Sequence, residues 1–122
     1  MKMNEVRFAV RPPIDGYGQG GFRIGGYAHR GGLLLLPGRI AEWSPGAALT
    51  LDSFAGVLEA ADEIDILLVG MGARISALPT DVRAALEARG LGVDAMATPA
   101  ACRTFNVLLA EERRVAAALK PV

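Results

Sequence analysis

Cys102 is the only cysteine in the chain, and it sits in the stretch ATPAACRTFNVLLAEERR with Arg103 beside it and Pro99 three residues before. Threonine favours the position that caps a helix and proline the first helical position, so the spacing predicts a helix capped by Thr98 and opened by Pro99. Cys102 then ends the first helical turn. There the positive end of the helix dipole and the Arg103 guanidinium would both favour a thiolate, were the group exposed. A nucleophilic thiol also needs a base. The sole histidine, His29, has no spacing that brings it to Cys102. Free cysteine otherwise acts as a small buried hydrophobe. Flanked by Ala100, Ala101 and Phe105, Cys102 is expected to be a neutral structural thiol, with nucleophilic catalysis as the weaker candidate.

A second constellation lies in ILLVGMGAR. A continuous apolar run ends at Gly70, and Gly72 follows Met71. In parallel α/β sheets ligands bind beyond the carboxyl ends of the strands. The next strand-like run, GVDAMA, ends just before Thr98. If the two strands are neighbours, Gly70, Met71 and Gly72 share a crevice with Thr98, Cys102 and Arg103, and these six are the candidate ligand residues. The competing expectation is that the glycines only make a tight turn.

Other chemistry is weaker. Gly16, Gly18 and Gly21 in GYGQGG match the spacing G-x-G-x-x-G, but a dinucleotide loop must open a helix. Here FRI follows and reads as a strand, so a mobile glycine loop is expected and no nucleotide site. His29 is expected to be a strand histidine satisfied by a backbone partner. The acids of EAADEID read as a solvated helix end. With one histidine and one cysteine, no metal set and no cofactor are expected.

The elements that must position these residues follow from apolar periodicity. VRFAV alternates and reads as a half-buried strand. FRIGGYAH reads as a hairpin turning at Gly25–Gly26. LLLLPG reads as a strand covered on both sides, and RIAEW as a short extended piece. TLDSFAGVLEAADEID places Leu51, Phe54, Val57, Leu58 and Ala61 at helical spacing. ILLVG is a buried strand, PTDVRAALEARG a helix started by Pro79 and stopped by Gly90, and GVDAMAT a strand. RRVAAAL fits either a longer last helix or a return strand. Strand, helix, strand, helix implies parallel crossovers joined to antiparallel strands, an α/β fold on a mixed sheet.

Composition bounds the function. The 122 residues are most simply one domain, 52% apolar and 21% charged. Thirteen basic and thirteen acidic residues cancel, against a general nucleic-acid binder. The charge is uneven, at +3 for residues 1–46 and −3 for the rest. No stretch reaches the roughly 18 apolar residues of a membrane span. The N-terminus lacks the apolar run of a signal peptide, so a cytoplasmic protein is expected.

Together GFRIGGYAHRGGLLLLPGRIAEW, IDILLVGMGA and ACRTFNVLLAEERRVAAAL resemble the Mth938-like (DUF498) family across nearly the whole chain. The resemblance implies a three-layer fold around a mixed sheet with an added antiparallel hairpin, and it makes RRVAAAL the final strand. It carries no established enzyme activity. The family's eukaryotic relative is an assembly factor for respiratory complex I that works through protein contacts. An archaeal member is thought to carry an internal disulfide, which one cysteine cannot form. The expectation is therefore a non-catalytic interaction domain with an unidentified protein partner, with assistance to respiratory complex assembly as its candidate role and a homodimer as a candidate state; the alternative is a small-ligand or thiol enzyme at the Gly70–Cys102 crevice.

Overall fold

The computed structural model describes residues 5–7 and 11–122. Strands β1 (Glu5–Arg7), β2 (Ile14–Gly18), β3 (Gly21–Ile24), β4 (Tyr27–Arg30), β5 (Gly32–Leu36) and β6 (Arg39–Trp43) fill the first part. Then come α1 (Ala55–Glu59), β7 (Ile66–Gly70), α2 (Thr80–Ala88), β8 (Gly92–Met96), α3 (Thr98–Ala110) and β9 (Val115–Leu119). β1 covers the start of the VRFAV stretch, and residues 8–10 of that stretch lie outside the described residues.

Six strands form one mixed sheet in the order β1-β6-β5-β9-β7-β8, parallel only at β7–β8 and β7–β9. The chain moves from β7 to its neighbour β8 through α2, then returns past β7 to β9 through α3. Two crossovers of the usual right hand that run in opposite directions along a sheet must put their helices on opposite faces. They do. Val82 and Leu86 of α2 pack with Phe54, Val57, Leu67 and Val69 on one face. Ala101, Cys102 and Phe105 of α3 pack with Leu33, Leu35 and Leu68 on the other. β5 and β9 are buried along their whole length, as continuous apolar runs covered on both faces require.

The third layer departs from the sequence reading in one respect. The expected hairpin turns at Gly25–Gly26, with φ of +56° and +83°, the paired positive values of a two-residue turn. It is part of a three-stranded antiparallel sheet, β2-β3-β4. The glycine stretch expected to be a mobile loop is itself a hairpin, with Gly16–Gly18 ending β2, Gln19 and Gly20 turning and Gly21 opening β3; β2 pairs with β3 from Ile14 to Gly18 with a register shift between Ile14 and Gly16. Ile14, Phe22 and Ile24 anchor this sheet in the α3-side core.

The single helix expected from Leu51 to Ala61 is broken. A 3-10 turn spans Leu51–Phe54, α1 has five residues, and a second 3-10 turn spans Ala61–Glu63. The Trp43 indole N–H donates to the Ser53 carbonyl at 2.7 Å, fixing the first turn to β6. Gly56 lies against Leu34, where a Cβ would come within 3.0 Å of the leucine side chain; it gives close packing at the expense of helix propensity. Leu51, counted among the apolar face, is 41% exposed.

Candidate functional site

Because β7 and β8 are parallel neighbours, the segments after Gly70 and Met96 leave the sheet at the same end. They lead to helices on opposite faces, the arrangement that opens a crevice in many α/β sheets. In this chain the two segments meet in a hydrogen-bonded seam. The Met71 N–H donates to the Met96 carbonyl at 2.8 Å, and the Thr98 N–H to the Gly72 carbonyl at 2.8 Å. The Thr98 hydroxyl accepts from the Gly72 N–H at 3.0 Å and donates to the Lys120 carbonyl at 2.7 Å. The Lys120 N–H closes the ring on the Gly70 carbonyl at 2.9 Å. Gly70 is glycine for want of space: a Cβ would sit 2.8 Å from the Thr98 hydroxyl and 2.9 Å from Leu119.

Thr98 was expected to cap α3. Ala97 holds that position, and Thr98 is the first helical residue. Its fully buried hydroxyl ties three chain segments instead. Of the six candidates, the structure brings Gly70, Gly72 and Thr98 into direct contact. Met71 is half-buried and packs on the α2-side core. Arg103 is exposed.

Cys102 turns away from the seam into the core beneath α3, where it is 2% exposed. Burial pushes its thiol up to about 11, against the smaller opposing pull of the Arg103 guanidinium. Desolvation penalises the charged form, so the thiol is neutral at physiological pH.

His29 is buried, with Nε2 2.8 Å from the Gly32 carbonyl. Since a carbonyl only accepts, Nε2 carries a proton in this contact. Nδ1 has no partner among the described residues. His29 pairs with Phe22 across β3 and β4, so its ring shares Phe22's inward direction.

A trough of about 540 Å³ is lined wholly by residues of β2, β3, β4 and the β2–β3 turn, and most of them, Gly16, Gly18, Gly21, Arg23, Ala28 and Arg30, belong to the face opposite Phe22 and His29. Arg23 and Arg30 stand on this face above Gly16, Gly18 and Gly21. The sequence reading took these glycines as a mobile loop that fails as a nucleotide loop. The pairing that puts the two arginines on one face follows from the hairpin FRIGGYAH turned at Gly25–Gly26, continued to Arg30.

Two other residues escaped the sequence reading. Asn106 of α3 accepts from the Ile14 N–H at 2.8 Å and donates to the Ile14 carbonyl at 2.9 Å, acting as a substitute strand for the start of β2. Arg11 lies over the Phe105 ring, 5.7 Å from its centroid, and donates to the Val115 carbonyl. Both contacts join residues about a hundred positions apart, and no local pattern signals them.

A family model described as a protein of unknown function (DUF498/DUF598) matches residues 14–120. An uncharacterised protein of Rhodobacter capsulatus is 45% identical over 122 residues, which is 100% of this chain and 94% of that protein. The human NADH dehydrogenase (ubiquinone) 1 alpha subcomplex assembly factor 3 is 39% identical over 110 residues, covering 88% of this chain and 60% of the human protein. A crystal structure described as an outer membrane protein from Bartonella henselae has 44% identity and a TM-score of 0.88, covering 94% of this chain and 98% of that one. A Bordetella pertussis protein described as a Mth938-like domain has 29% identity and a TM-score of 0.78, covering 99% and 92%. In sequence from β2 to β9, and in the three layers those elements build, the chain belongs to the DUF498 family of Mth938-like domains.

Proposed function

We propose that the chain is a non-catalytic protein-interaction domain that assists assembly of a respiratory complex of the NADH dehydrogenase type from the cytoplasmic side. The observation that carries this reading is the 39% identity with a complex assembly factor over 110 residues, a span long enough to include both faces of the central sheet. The protonated, buried state of Cys102 agrees with it, since a thiol nucleophile needs an ionised and accessible sulfur. Among the described residues no helix is long and apolar enough to cross a membrane.

The competing proposal seats a small ligand at Gly70, Met71, Gly72, Thr98, Cys102 and Arg103. Strand topology supports that position. The Thr98 hydroxyl, however, occupies the space between the two strand ends, and Cys102 faces the core. Affinity capture with the tagged chain from its native host tests the assembly reading. Enrichment of NADH dehydrogenase subunits or assembly intermediates is expected. A catch without any of them would overturn it.

A further inference from the structure

Strand pairing sets out the outer face of the β2-β3-β4 sheet in two rows. One row runs Gly16, Arg23, Ala28, and the next Gly18, Gly21, Arg30. Each arginine is therefore flanked across the sheet by residues with no side chain beyond Cβ. The floor cannot be filled at its centre, because a Cβ on Gly21 would come within 2.2 Å of the His29 carbonyl oxygen. Arg23 and Arg30 are both exposed, and neither side chain has an ion pair or hydrogen bond among the described residues. No acid lines the trough.

We propose that this face docks an acidic, extended segment of a protein partner, with Arg23 and Arg30 each taking a carboxylate. The proposal rests on the interaction-domain reading and gives that domain a surface. Both guanidiniums stay charged at every physiological pH, and their planar forks match carboxylates bidentately. Diagonal neighbours on paired strands stand about 7–8 Å apart. Acids two residues apart on one face of an extended chain are separated by roughly 6.5–7 Å, so alternating acids fit the two arginines. The face is open and floored by main chain, whereas small-molecule sites enclose most of their ligand. Two cations on a chain of zero net charge fall short of the phosphate contacts that nucleic acid requires.

The test is a titration of the isotope-labelled full chain, followed by amide and arginine side-chain NMR signals. The probe is a synthetic eight-residue peptide alternating glutamate and serine. A peptide with glutamine for glutamate, and succinate, serve as comparisons. Saturable shifts are expected at Gly16, Gly21, Arg23, Ala28 and Arg30, weakened by salt and absent or far weaker with the glutamine peptide. Arg23→Gln and Arg30→Gln should each weaken binding about two- to fivefold, as for exposed ion pairs, with the remaining spectrum unchanged. Arg→Lys variants should recover part of the loss. Equal binding of the glutamine peptide, shifts centred elsewhere, succinate binding as tightly as the peptide, or no shift at millimolar peptide would each overturn the proposal. If the double Arg→Gln variant still captures the host partner as wild type does, the docking assignment falls and the interaction-domain reading stands. If wild type captures no assembly partner, that failure belongs to the functional reading.

Discussion

Thr98→Val keeps the shape of a fully buried side chain and deletes the hydroxyl that ties Gly72 to Lys120. Two hydrogen bonds disappear, the one accepted from the Gly72 N–H at 3.0 Å and the one donated to the Lys120 carbonyl at 2.7 Å. Each such bond contributes about 0.5–1.5 kcal/mol net, and a buried group left unpaired costs about 1–3 kcal/mol. Gly72 and Lys120 are only partly buried, so water recovers some of the loss, leaving an expected destabilisation of about 2–3 kcal/mol. Crowding adds to it with the same sign, because the valine methyl replaces an oxygen that packs so closely on Gly70 that a Cβ there would meet it at 2.8 Å. Thr98→Ser keeps both bonds and removes one methyl, a loss of about 1 kcal/mol. Urea unfolding followed by the fluorescence of Trp43, the sole tryptophan, reads both variants. With a urea slope of about 1–3 kcal/mol per molar for a small domain, Thr98→Val should lower the midpoint by roughly 1–2 M. A midpoint within about 0.3 M of wild type, or a serine variant as unstable as the valine variant, would refute the view that the seam is held by this hydroxyl.

Native Cys102 should react with iodoacetamide far more slowly at neutral pH than the same thiol in urea; equal rates would contradict its burial. Because its folded value of about 11 lies above the ordinary value of 9.0, the folded state holds the proton longer than the unfolded one. The stability this contributes is present below pH 9 and is lost as pH rises toward 11, at up to about 1.4 kcal/mol per pH unit. The stability difference between wild type and Cys102→Ala should shrink across that window, and a flat difference would sink the argument. Asn106→Ala should cost about 1–3 kcal/mol and raise amide exchange along Ile14–Gly18. Asn106→Asp should be intermediate, since it keeps the acceptor and loses the donor. Unchanged exchange in β2 would show that the Asn106 clamp does not hold the strand.

The buried strands were legible because unbroken apolar runs such as LLLL and ILLVG admit few other readings, and their helices were bracketed by proline and glycine. Strand β2 was hidden for a physical reason. Gly16 and Gly18 offer no side-chain alternation to read, and the strand is held by β3 and by Asn106, ninety-two positions from Ile14. Helical periodicity from Leu51 onward was real but overridden by the Trp43–Ser53 bond and the close packing at Gly56. At the candidate site, spacing gave the neighbours Gly70, Gly72 and Thr98. It could not give the role of Thr98, because a side chain that suits a helix cap equally suits a tertiary bond. The direction of Cys102 depended on which face of the sheet α3 covers, and the order of the central strands decides that. RRVAAAL resolved into β9 through family resemblance alone; its alanines carry no period that separates strand from helix.

The central claim joins an assembly role to a non-catalytic thiol, and one complementation experiment addresses both. The quantity to measure is the amount of assembled NADH dehydrogenase on native gels, in the host deleted for this gene and carrying wild type, Cys102→Ala or an empty vector. The account predicts a deficit with the empty vector and full restoration by both wild type and Cys102→Ala. Undiminished complex in the deletion strain would contradict the assembly role. A soluble, normally abundant Cys102→Ala that restores no more than the empty vector would contradict the non-catalytic reading and return the thiol to the chemistry.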